Sequence, residues 1–246
     1  MPKSSNPLTQ KSGMSTNIIL TVVVVVVAVL VIGGVLLFSG GGPGGGGGDD
    51  RVSADVLRKP ESNTLSEAPG DKVTVVEFLD YQCPACQQYY TALTKQVEAD
   101  YQGRIDFVVR NFPLDMHPLA RPAAQAAEAA ALQGKFKEMY HALYDNWQSW
   151  AMTPDGSGYA SDVPAARAKF EEFARQIGLD MARFAQDYDS QAVKDRIEQD
   201  IEDGEAAGVS GTPTIFVNGQ KWEPTSQTYQ ELSQEFRTKL DQELAR

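Results

Sequence analysis

Cys83 and Cys86 are the only cysteines in this 246-residue chain, and they stand together as Cys-Pro-Ala-Cys. Two thiols at this spacing can close a disulfide, exchange it with another dithiol, or supply half of a metal site. Zinc needs about four ligands. The only histidines, His117 and His141, lie far from the few-residue spacing of a zinc finger, so no metal and no cofactor is expected. A disulfide-stapled scaffold would need more cysteines than two. What remains is exchange chemistry, with a structural disulfide or two inert buried thiols as the plainer alternative.

The setting of the pair favours exchange. Residues 72–79 are apolar and β-branched, follow Pro69-Gly70, and are predicted to form a buried strand. Pro84 suits the first position of a helix, where its missing N–H would be unpaired anyway. Cys83 is therefore placed at a helix N-cap, facing free amides and the positive end of the helix dipole. Both favour thiolate and should lower its pKa below the usual ~8.5. Cys86 falls one turn along on the same face, where it can resolve a mixed disulfide. Each unit by which the Cys83 pKa drops below ambient pH stabilises the reduced form by about 1.4 kcal/mol. That raises the potential by about 30 mV. Pro84 and Ala85 supply no charge, so an intermediate to oxidising potential is expected.

Three further residues bear on this chemistry. Glu77 interrupts the apolar strand six residues before Cys83. Buried, it would have a raised pKa and could relay the proton of Cys86; otherwise it points to a solvated face or pairs with a base. Pro213, in Gly211-Thr212-Pro213-Thr214, stands at the start of a strand and can be a trans starter or a cis residue in a tight turn. Asp80, at the strand end, reads as a loop or capping residue, and His141, among Tyr140, Leu143 and Tyr144, as packing or surface.

The elements that position these residues read as β-α-β, a helical stretch, then β-β-α. The first helix is expected from Pro84 to about Tyr101 and the second strand over Ile105 to Arg110. Helices extend from about Leu119 to Ala207, interrupted by a Gly/Pro/Ser loop at residues 150–163. A hairpin follows over Thr214 to Trp222, turning at Asn218-Gly219. A terminal helix is expected from about Thr225 to Arg246. Aromatic residues near the dithiol (Tyr81, Tyr89, Tyr90) and in the helical stretch (Trp147, Trp150) are expected to be mostly core.

Upstream the chain changes character. Residues 1–17 read as a polar cytoplasmic tail. Residues 18–38 are an uncharged run of 21 residues, about 30 Å long as a helix, which matches a bilayer core. Lys3 and Lys11 precede it and Asp49 and Asp50 follow, so the N-terminus is expected to stay cytoplasmic and the remainder to face outside the cell membrane. A cleaved signal peptide is the alternative. Residues 39–66, opening with a Gly tract, read as a flexible tether. The organisation expected after it is a first domain part over 67–116, a helical insertion over 117–207 and a second part over 208–246. Beyond the Gly tract the chain has 33 acidic and 20 basic residues, a net charge of −13, which argues against nucleic-acid binding.

The strand-Cys83-Pro84-Ala85-Cys86-helix run, with Thr212-Pro213 before the last hairpin, resembles the thioredoxin superfamily. The long helical insert, and Asn111-Phe112-Pro113-Leu114-Asp115-Met116-His117 leading into an Ala-rich helix, resemble its DsbA-like branch of anchored bacterial thiol–disulfide oxidoreductases. The resemblance covers residues 72–246. It implies an α/β thioredoxin fold with a helical domain inserted before the hairpin. Cys83 would attack and Cys86 resolve; Pro213 would be cis beside them, Thr212 would offer its backbone to an extended substrate, and Glu77 would be the buried acid. His117 is read as structural, linking the second strand to the insert. The implied activity is oxidation of cysteines in exported proteins, with a membrane quinone-linked partner restoring the disulfide. A reductase or isomerase would use the same residues. A glutathione transferase-like enzyme generally lacks the second cysteine, and a binding module would use the pair only as a clip.

Overall fold

Val75, Val76, Phe78 and Leu79 are all at most 1% exposed, and the strand they build lies at the centre of a five-stranded sheet. The computed structural model describes residues 51–70 and 73–246. In chain order these form α1 (Ala54–Leu57), β1 (Asn63–Ser66), β2 (Thr74–Leu79), α2 (Pro84–Tyr89), a π turn (Tyr90–Thr94), α3 (Lys95–Asp100) and β3 (Asp106–Asn111). The helical stretch follows as α4 (Ala120–Ala131), α5 (Phe136–Asp145), a 3-10 turn (Trp147–Ser149), α6 (Val163–Gln176), α7 (Met181–Tyr188) and α8 (Gln191–Ala206). The chain returns to the sheet through β4 (Thr214–Val217) and β5 (Gln220–Lys221) and ends in α9 (Tyr229–Leu244).

The strand order is β1-β3-β2-β4-β5. β2 runs parallel to β3 and antiparallel to β4; β1 and β5 are antiparallel edges. Successive side chains of a strand point to opposite faces, and both faces of β2 are covered. Val73, Val75 and Leu79 join one core with Leu93, Val97, the Ala-rich α4, and Phe236 and Leu240 of α9. Val76 and Phe78 join a second with Leu57, Val108, Phe112, Val209 and Phe216. Burial of each large apolar side chain contributes roughly 1.5–3 kcal/mol. No face of β2 is left to water, so a polar residue there has no solvated side to turn to.

α8 seals the second core by close approach. A Cβ added at Gly204 would lie 2.8 and 2.9 Å from two ring atoms of Phe112 and 3.1 Å from Phe78. Beside it, the fully buried Arg110 of β3 pairs with Asp200 and Asp203 of α8. Its guanidinium also donates to the carbonyls of Val56 and Leu57, satisfying acceptors at the end of α1. At the β4–β5 turn Asn218 and Gly219 both have positive φ, as a two-residue hairpin requires. The Gly219 carbonyl accepts from the Val52 amide.

Several expectations need correction. The tether read over residues 39–66 ends earlier, because α1 and β1 belong to the folded unit. Asn63–Ser66 pairs with β3, so order begins well before residue 67. The helix expected from Pro84 to Tyr101 is interrupted by the π turn, which accommodates about one extra residue. β5 stops at Lys221 rather than Trp222. α9 starts at Tyr229, because the Thr228 side chain accepts from the Glu231 amide and caps it there. The tail, the span at residues 18–38 and the Gly tract lie outside the described residues. Among the described residues no helix is long and apolar enough to cross a membrane.

Candidate active site

Cys83 has extended backbone angles and is the N-cap of α2, with Pro84 in its first turn. Both cysteines are free thiols, Cys83 6% exposed and Cys86 1%. Thr212–Pro213 is a cis peptide, and the Thr212 carbonyl lies 3.6 Å from the Cys83 sulfur, which donates to it. The structure thus brings Cys83, Cys86, Thr212 and Pro213 together. Cys83 is held down at about 6, foremost by the hydrogen bond that the Cys86 thiol donates, with burial opposing and the amides of Cys86 and Ala85 assisting. The Thr212 hydroxyl, without a hydrogen bond to the thiol form, is within reach as a further donor to the thiolate. At pH 7 thiolate therefore outnumbers thiol about ten to one. Cys86 is pushed the other way, first by burial and then by its bond to Cys83 and the charges of Cys83 and Glu77. One sulfur is an anion at a helix N-cap and its partner a more deeply buried proton donor.

Glu77 shares the face of β2 that carries Val75 and Leu79 and is 1% exposed. Its flanking residues in the sheet are Val109 and Ile215. Burial raises its pKa to about 8, opposed only by a hydrogen bond from the Thr94 hydroxyl at 3.4 Å. Thr94 ends the π turn, so the irregularity in the helix places this donor over the acid. The solvated-face and base-paired alternatives for Glu77 are both excluded. No hydrogen bond joins Glu77 to Cys86; they act on each other as charges.

The loop between β2 and α2 is anchored more densely than its sequence suggests. Asp80 is 1% exposed. One carboxylate oxygen accepts from the amides of Gln82 (2.7 Å) and Cys83 (3.2 Å). The other accepts from the Leu114 amide (2.9 Å) and faces His117 Nδ1 at 2.6 Å. The buried Gln82 amide accepts from the Leu119 amide and donates to the carbonyls of Ala151 and Ala160. Trp147 donates its indole N–H to the Tyr81 carbonyl. Of the loop and capping readings of Asp80 the structure bears out the loop one, since the N-cap of α2 is Cys83 itself; its reach into the 112–118 loop is long-range and has no local sequence signal. Its turn did have one: Asp-x-Gln with the side chain accepting two residues on is an Asx turn. Gln82 carried no such signal.

His117 joins the second strand's exit to the insert as expected, with the ring of Tyr159 edge-on at 4.7 Å. His141 lies at the surface, paired with Glu98 and within 3.0 Å of the Tyr90 hydroxyl. Tyr81, Tyr90, Trp147 and Trp150 are buried, while Tyr89 is half-buried against Tyr229. Among the described residues no group of three or more His, Cys, Asp or Glu could hold a metal ion.

Comparisons with known proteins agree with this geometry. A thioredoxin family model matches residues 68–235. Among solved structures, a thioredoxin-like oxidoreductase from Silicibacter pomeroyi is 26% identical, with a TM-score of 0.58 over 78% of this chain and 99% of that one. BdbD from Bacillus subtilis shares the fold at 21% identity, with a TM-score of 0.60 over 76% of this chain and 94% of its own. The thiol-disulfide exchange protein alpha-DsbA2 from Wolbachia pipientis does so at 21% and 0.59, covering 76% and 90%. Curated relatives are larger. The Na(+)/H(+) antiporter NhaA 3 of Salinispora tropica is 38% identical over 63% of this chain but only 21% of its own length. NhaA 1 of Mycolicibacterium gilvum is 35% identical over 66% and 24%. This chain therefore spans a quarter or less of those relatives. With a helix-capping Cys-Pro-Ala-Cys pair beside a cis-proline and the family match over residues 68–235, the chain belongs to the thioredoxin family and has the fold of its DsbA-like thiol–disulfide oxidoreductases.

Proposed function

We propose that this protein catalyses dithiol–disulfide exchange through Cys83 and Cys86, oxidising cysteines of exported proteins. The observation that carries the reading is the Cys83 sulfur at a helix N-cap, surrounded by donors and backed by a buried thiol that does not ionise with it. In the oxidised protein a substrate thiolate attacks Cys83 Sγ, the Cys83–Cys86 bond breaks, and Cys86 leaves. The departing sulfur is buried and needs a proton, which Glu77, largely protonated at neutral pH, is suited to supply. A second substrate thiol, deprotonated as it attacks, displaces Cys83 from the mixed disulfide. Two substrate thiols have become one disulfide, and the protein's disulfide two thiols. A leaving group of pKa about 6 makes that last release easy and favours disulfide donation. Thr212 would pair its backbone with the extended substrate.

The setting proposed is extracytoplasmic, on an anchor at residues 18–38, with a membrane quinone-linked protein restoring the disulfide. That curated relatives matched over this module are named as Na(+)/H(+) antiporters supports placement at a bilayer. Equilibration of the full chain with glutathione buffers tests the direction. A potential between roughly −180 and −120 mV supports donation. One near −270 mV, like thioredoxin, makes this a reductase, and resistance below about −300 mV a structural clip.

A further inference from the structure

The buried Asp80–His117 pair is unused by the exchange steps above, yet it touches the nucleophile's own backbone. We propose that Asp80 and His117 are a positioning pair for the Cys83 thiolate, the carboxylate fixing the Cys83 amide and the imidazolium cancelling the carboxylate's charge.

The geometry makes each half necessary to the other. Asp80 fills its acceptor sites from two chain segments, the amides of Gln82 and Cys83 on one side and Leu114 and His117 on the other. Removing it would free the β2–α2 loop from the 112–118 loop. But a carboxylate bonded to the Cys83 amide also places a fixed negative charge beside a sulfur that must become an anion. In a site with side-chain exposure of 0% for Asp80 and 3% for His117, little water screens that repulsion. His117 supplies the compensating charge. Burial works against its protonation, but the hydrogen bond to Asp80, the charge of Asp80 and the charge of Cys83 outweigh it and raise its pKa. The dependence on Cys83 is reciprocal: if the imidazolium favours thiolate, thiolate favours imidazolium to the same degree. The other groups facing this junction are Tyr159 from the insert, packed on His117, Tyr144, whose hydroxyl donates to the Asp80 carbonyl at 3.4 Å, and Cys86, with Glu77 acting on Cys86 from β2.

The inference rests on the thiol chemistry proposed above, and its test separates the two. The full chain in detergent, reduced, is alkylated with iodoacetamide across pH 4–10 as wild type, His117→Gln, Asp80→Asn and the double variant. Gln keeps an N–H for Asp80 but no charge, so His117→Gln should raise the Cys83 pKa; each unit lowers the rate at pH 5 about tenfold. The double variant, which removes both charges, should return to within about twofold of wild type. A merely structural pair would leave the His117→Gln profile unmoved, or leave the double variant as impaired as the single; either result overturns the proposal. Should His117→Gln fail to fold, the wild-type imidazole is titrated by NMR in both redox states. A higher pKa in the reduced protein supports the coupling, and equal values overturn it. A wild-type Cys83 that titrates near 9 would remove the exchange reading as well, whereas a low wild-type value with an unshifted variant removes only the pair's role.

Discussion

The Cys86 thiol does more than the helix amides to hold the Cys83 thiolate, and taking that thiol away tests it. Cys86→Ala deletes the donor and leaves the N-cap, Pro84 and the amides of Ala85 and Cys86 in place. A hydrogen bond to a charged group is worth about 1.5–3 kcal/mol, or roughly one to two pKa units. The Cys83 pKa should therefore rise from about 6 to roughly 7–8, and the thiolate fraction at pH 6 should fall from about half to a tenth or less. Cys86→Ser restores an O–H donor and should recover much of the depression. The assay is the pH profile of iodoacetamide alkylation, read beside thiolate absorbance at 240 nm. With Cys83 the sole remaining cysteine, the signal has one source. A Cys86→Ala profile still centred near 6 would refute the ranking and hand the effect to the helix amides. In the wild type the sign follows from the depressed value. Stabilisation of the folded reduced protein by this group is complete above pH 9, the ordinary thiol value, and is lost as pH falls through 6. At pH 7 it amounts to about 1.4 kcal/mol, or about 30 mV in potential.

Glu77 should behave oppositely in stability. Its pKa is raised to about 8, so its neutral burial is free of penalty below the ordinary carboxyl value and costs progressively more as pH rises towards 8. Glu77→Gln should stabilise the protein at pH 7 by roughly 3 kcal/mol relative to its effect at pH 4, while slowing exchange. Urea unfolding at the two pH values measures this, and a pH-independent difference would contradict the buried neutral acid. Arg110→Ala leaves the buried Asp200 with the longer contact to Arg196 as its ion pair and should destabilise by about 3–5 kcal/mol; a midpoint within error of wild type would show that the Arg110 pairs do not hold α8 to β3. Gly204→Ala drives a methyl into Phe112 and should cost about 1–3 kcal/mol, seen as a lower Tm with unchanged alkylation kinetics. A neutral result there would show that α8 can draw back from β3.

The sequence spoke clearly where signals were local. The apolar run before Cys83, the proline after it and the Thr212-Pro213 turn each constrain their own neighbours, and the family pattern joined them into one site. Glu77 was legible as an anomaly, but its burial depends on both faces of β2 being covered, which no strand states about itself. Asn63–Ser66 was lost for a related reason. A four-residue polar strand has no periodicity to detect, and what makes it a strand is pairing with β3 some forty residues later. The π turn left no mark in the helical spacing. Asp80 reads as a loop residue and Gln82 carries no signal, because their partners come from the 112–118 loop (Leu114, His117) and from further along the insert (Leu119, Ala151, Ala160).

The bond from the Val52 amide to the Gly219 carbonyl has a steric consequence. The Asn218 amide, in the same turn, donates to the Thr74 carbonyl at the first residue of β2, whereas Cys83 stands beyond its last. A six-residue strand rises about 20 Å, so the Val52–Gly219 contact and the Cys83 sulfur lie at opposite ends of β2. An incoming chain at Cys83 therefore meets the C-terminal end of β2, while the Val52–Gly219 contact closes the sheet beside the other end of that strand.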